Sequence, residues 1–116
     1  MKRFVMAAFA LLGGCVTTDE LIATGERSEH VLIRTPALAT ACMSRNFDAA
    51  RGSSLGNPTV AATIRPMDGG GSELVVPTML VAHAQPEGTR SRVTIWLQPE
   101  WFVGRSTIVA TMTKGC

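Results

Sequence analysis

From Thr59 onward, apolar residues recur at every second position between short turns, a period that makes strands of a half-buried sheet. Thr59–Ile64 puts Val60, Ala62 and Ile64 on one face. Arg92–Gln98 puts Val93, Ile95 and Leu97 on one face and Trp96 on the other. Ser106–Thr113 alternates again, with Ile108, Ala110 and Met112 together. Glu73–Ala84 is strand-like but broken by Pro77, which suits a bulge, a crossing between two short strands, or an edge. Pro66–Ser72 and Gln85–Gly88 read as turns, and Pro99–Gly104 as a longer connection carrying Trp101 and Phe102.

The stretch ahead of these strands differs. His30–Arg34 is rich in β-branched residues and predicts a strand. Thr35-Pro36 signals a helix start, because Thr can cap and Pro lacks only an N–H that the first turn leaves unused. The helix runs from Pro36 to about Phe47. Leu38, Ala39, Cys42 and Met43 share one arc of it, with Cys42 near the middle and aimed at the core. Asp48–Pro58 is a loop by composition. The expectation is an α+β fold, β-α-β-β-β-β, with one helix packed on an antiparallel meander in a single small domain.

The first 29 residues stand apart. Met1-Lys2-Arg3 is basic, Phe4–Leu12 is an uncharged apolar run of nine, and Gly13-Gly14 precede Cys15. This is the layout of a secretory leader. Nine helical residues rise about 14 Å, too little for a hydrocarbon core of roughly 30 Å. Leu12-Gly13-Gly14-Cys15 resembles the bacterial lipobox: an apolar residue, two small ones, then cysteine. The resemblance implies lipid on Cys15, cleavage of the Gly14–Cys15 bond, and a membrane-anchored lipoprotein with residues 1–14 as signal peptide. In that family Asp after the cysteine favours the inner membrane. Val16 here implies the outer membrane of a Gram-negative cell, with the protein on its periplasmic face. Residues 15–29 are polar and without sustained periodicity, and are expected to be a lipidated tether, with a short helix at Asp19–Thr24 compatible with that role. The folded domain is then 30–116.

Of 11 basic side chains two, Lys2 and Arg3, lie in the leader, so nine remain against nine acidic ones. A neutral chain lacks the basic stripe that phosphate binding needs, so nucleic acid is not expected as a partner. With Cys15 lipidated, Cys42 and Cys116 remain, and an oxidising compartment favours the one disulfide they can form. The competing readings are a buried thiol at Cys42 and a reactive one at Cys116. Ala41-Cys42 in a helix, a meander and a terminal Gly115-Cys116 also resemble the layout of small proteobacterial envelope lipoproteins, a resemblance that implies no activity.

Chemistry is sparse. His30 and His83 have no second ligand at close spacing, so no metal site is expected. Ser53-Ser54 lacks a nucleophile-elbow context, and Gly69-Gly70-Gly71 lacks the Lys and helix of a phosphate loop. Asp68, Glu73, Glu87 and Glu100 lie in or beside turns, where carboxylates are normally solvated. No catalytic residue and no cofactor is expected. Trp96, Trp101 and Phe102 are the candidate partner surface, since aromatics outside a core are enriched at interfaces. Core packing is the alternative for all three. The expected role is a non-catalytic interaction or structural module of the envelope, docking on an envelope protein. The rival is a small-ligand or hydrolase-inhibitor module using Asp48–Pro58 or Gly69–Ser72.

Overall fold

A computed structural model describes residues 17–50, 61–98 and 105–116. Helix α1 (Thr18–Thr24) starts at Thr17, whose Oγ1 accepts the Glu20 N–H at 3.1 Å, and Asp19 and Glu20 suit the positive end of the helix. It stops at Gly25, whose N–H donates to the Leu21 carbonyl at 2.7 Å. Strand β1 (Glu26–Leu32) follows, then helix α2 (Pro36–Ala50). Strands β2 (Thr63–Pro66), β3 (Ser72–Val76), β4 (Leu80–Glu87) and β5 (Arg90–Leu97) make the meander, and helix α3 (Arg105–Thr113) ends the fold.

The sheet is antiparallel throughout, in the order β1-β5-β4-β3-β2. One face carries Leu74, Val76, Leu80, Ala82, Ala84, Val93, Ile95 and Leu97, all buried against α2 and α3. Val93, Ile95 and Leu97 thus point inward as the alternation requires. Cys42, Met43 and Phe47 supply the α2 side of this core. Thr40, fully buried, meets Ser72 of β3 through their hydroxyls at 2.7 Å and also donates back along its own helix. The α+β architecture is as the sequence leads one to expect.

Several expectations need correction. The segment expected as a tether, 15–29, is folded from Thr17 on. Leu21 is 1% exposed, α1 packs against β4 and β5, and β1 pairs with β5 along Glu26–Leu32. A seven-residue helix that buries one side chain shows no stripe in sequence, and an edge strand with one neighbour tolerates polar residues. Ser106–Thr113, expected as a strand, lies in α3: Ile108, Val109 and Met112 are buried while Ala110 is exposed. The spacing i, i+1, i+4 is helical, and packing on α2 overrides the β-branched composition.

At β2 the described strand is Thr63–Pro66, Thr59 and Val60 lying outside the described residues, and Ile64, on the helix side, is 43% exposed because β2 is an edge. Pro66 ends that strand rather than opening a turn, as an edge allows. Likewise β4 continues to Glu87, leaving Gly88 and Thr89 as the hairpin turn. Pro77 sits in the turn between β3 and β4, where Met79 donates to the Val76 carbonyl at 3.0 Å and Thr78 takes φ 65°.

Helices α2 and α3 are joined covalently. Cys42 and Cys116 form a disulfide with Cα atoms 5.8 Å apart, and Asn46 Nδ2 donates to the carbonyls of Met112 (2.8 Å) and Lys114 (2.9 Å). Those carbonyls belong to the end of α3, where the helix cannot satisfy them itself.

Candidate functional site

The second sheet face holds the polar chemistry. Period-two alternation sends Ser72 and Leu74 to the core and Glu73 to the other side. Register then aligns Arg65, Glu73, His83, Thr94 and Glu29 in one row across all five strands. Beside it runs a second row of Thr63, Val75, Val81, Trp96 and Arg27. Helix α1 covers the β4–β5 part of this face, and a Cβ on Gly25 would come within 3.3 Å of the Trp96 Cβ.

Glu73 is the centre of the arrangement. It is 4% exposed, yet both carboxylate oxygens are engaged: Arg65 Nε donates to Oε1 at 2.5 Å and His83 Nε2 to Oε2 at 2.7 Å. An ionised carboxylate only accepts, which fixes Nε2 of His83 as an N–H. Burial alone raises the pKa of Glu73. The hydrogen bonds from His83 and Arg65, with the charge of both, outweigh it and hold the carboxyl below its ordinary value of 4.5. The His83 ring also meets Trp96 edge-on, with centroids 5.0 Å apart and planes at 74°.

A cavity of about 270 Å³ opens beside this row, lined by Thr18, Thr63, Ile64, Arg65 and Val75. Its polar margin is the Arg65 side chain, 72% exposed and retaining donors beyond Nε. Such a surface can recognise a carboxylate or a polar segment by hydrogen bonding. Neither Glu73 nor His83 lines it.

The structure separates the other sequence candidates. Trp96 is half-buried on the face opposite Val93, Ile95 and Leu97, as the alternation places it. Trp101, Phe102, Glu100, Ser53 and Ser54 lie outside the described residues, as do Gly14 and Cys15. Among the described residues His30, on β1, hydrogen-bonds Ser28 (Nε2 to Oγ, 3.0 Å), on the face away from His83. No three His, Cys, Asp or Glu side chains among the described residues converge as a metal would require. Asp68–Gly70 is a tight 3-10 turn, closed by the Met67 N–H on the Gly71 carbonyl at 2.9 Å. A Cβ at Gly71 would lie 2.8 Å from Gln85 Oε1 and 3.0 Å from the Ala84 carbonyl, so Gly71 is pressed onto β4, while Gly69 at the tip of the turn stands in open space.

Glu73 corrects the expectation of a solvated carboxylate, and sequence reasoning also missed Arg65 as its partner. A signal existed: Arg65, Glu73 and His83 fall at mirrored positions about two consecutive turns, which is what pairing across a meander produces. Asn46 offered no comparable signal, because its partners lie 66 and 68 residues away.

No protein-family model, no curated protein and no solved structure matches this chain.

Proposed function

We propose that this chain is a lipid-anchored, non-catalytic interaction module of the bacterial envelope. It is held through Cys15 on the periplasmic face of the outer membrane and docks an envelope protein with the outer face of its sheet. The observation that carries the docking reading is the placement of Arg65 and Trp96 on one face, both partly accessible and flanking the α1 end of the sheet. Arg and Trp are the residues that most often dominate interface energetics. Glu73 is spoken for on both oxygens, which favours a structural over an acid–base role.

The lipobox-like Leu12–Cys15 supports the anchor. No helix among the described residues is long and apolar enough to cross a membrane. The test is cross-linking and affinity capture of the lipidated protein from its native envelope in mild detergent. One envelope partner is expected, lost on Arg65→Glu and on joint replacement of Trp101 and Phe102 by Ala. Capture of the same partner by all variants overturns the docking surface. Mass spectrometry of the Cys15 peptide tests the anchor separately.

The second reading is a small-ligand or hydrolase-inhibitor module, favoured by the cavity at Arg65, which approaches the roughly 300 Å³ lower bound of ligand pockets. A thermal-shift screen with envelope glycans and lipids distinguishes it.

A further inference from the structure

The two edges of the sheet are built differently. Strand β2 is four residues long and ends in Pro66, features that discourage pairing with another chain. Strand β1 runs seven residues, contains no proline, and keeps an unbroken register with β5 from Glu26 to Leu32. Among the described residues no strand pairs with its outer edge.

Its charges form a palindrome. A two-fold axis normal to the sheet would pair β1 with β1 of a second copy antiparallel, with residues of one face opposite each other and the axis passing through a residue. With the axis at Ser28, Arg27 falls opposite Glu29 of the second copy and Glu26 opposite its His30, each pair occurring twice. With the axis at Glu26, Arg27 or Glu29, like charges meet at the centre. With the axis at His30, Arg27 and Glu29 face Ile33 and Val31 instead. Like charges directly opposite are destabilising, and opposite charges directly opposite are stabilising.

Within one copy Arg27 Nη2 already lies 3.4 Å from Glu29 Oε2 with both side chains exposed, so the axis at Ser28 would join two such pairs into a four-residue network. Val31, 48% exposed, would then fall opposite Gly25 of the second copy, at the foot of its α1. We propose that this face is a homodimer interface: β1 pairs with β1 of a second copy about Ser28 and extends the sheet across both.

The test uses the full chain in mild detergent, with sedimentation as readout. A dimer is expected at tens of micromolar protein. Arg27→Glu and Glu29→Arg should each weaken it about tenfold or more, and the double swap should restore it, because the palindrome is then reversed intact. Ser28→Cys should give an oxidative cross-linked dimer above the parent chain's background, since opposed Cα atoms in such a ladder lie within disulfide reach. Ile64→Cys on the far edge should not. A monomeric parent, a dimer indifferent to the single swaps, or a double swap no better than the singles overturns the proposal.

Discussion

His83 donates to the buried carboxylate of Glu73 across 2.7 Å while its ring abuts Trp96, so one histidine links the ion pair to the aromatic residue on the outer sheet face. The hydrogen bonds from His83 and Arg65 make Glu73 a stability element with a definite pH signature. Its carboxyl titrates lower in the folded protein than its ordinary 4.5. Its contribution is therefore fully present above the unfolded value and is lost as pH falls through the folded value. Glu73→Gln should cost about 1–3 kcal/mol at pH 7, and the gap from wild type should shrink as pH falls below the ordinary 4.5. Denaturant titrations at pH 7, 5 and 3.5 check this, and a gap that does not change with pH removes Glu73 as its source.

The disulfide between Cys42 and Cys116 closes a loop with a sequence separation of 74. Reduction, or Cys42→Ser with Cys116→Ser, should lower unfolding free energy by about 4 kcal/mol on the chain-entropy account. Calorimetry with and without reductant measures it.

Asn46→Ala should cost about 1–3 kcal/mol by leaving two carbonyls at the end of α3 without their donor. Because Asn46 and the disulfide hold the same junction, the triple replacement should cost less or more than the sum. A double-mutant cycle that adds within error would show the two to act independently.

Thr78 occupies a turn position with φ 65°, where a β-branched residue is strained, and it is exposed. Thr78→Gly should raise stability by about 0.5–1 kcal/mol, relief of strain exceeding the added freedom of the unfolded chain. A fall in melting temperature would count against the turn geometry.

Leu21→Ala should cost about 2–3 kcal/mol and increase amide exchange in α1 and β1 together. A segment serving only as a tether would show neither effect.

The fold was legible in the sequence where one side chain pattern had one cause. Val93, Ile95 and Leu97 alternate because a single buried face requires it, and Cys42 points inward because α2 presents one arc to that face. Legibility failed where the cause was a distant neighbour. Ile108 and Met112 satisfy both a strand and a helix period, and the buried Val109, which decides between them, is held by α2. Glu26–His30 has the composition of a linker, and only β5 makes it a strand. At the site, Trp96 was placed on the correct face by alternation alone. The ion pair of Glu73 was not, since its buried state depends on Arg65 and His83 arriving from both flanking strands.

The docking of α1 also sets how far the domain can roam. A flexible leash from residue 15 to 29 would span up to about 50 Å when extended. With the helix capped at Thr17 and fixed to the sheet, only Val16 lies between Cys15 and folded structure, a reach of under about 10 Å. An anchor at Cys15 would thus moor the domain against the headgroups, and any partner would have to present its contact surface in that same thin layer.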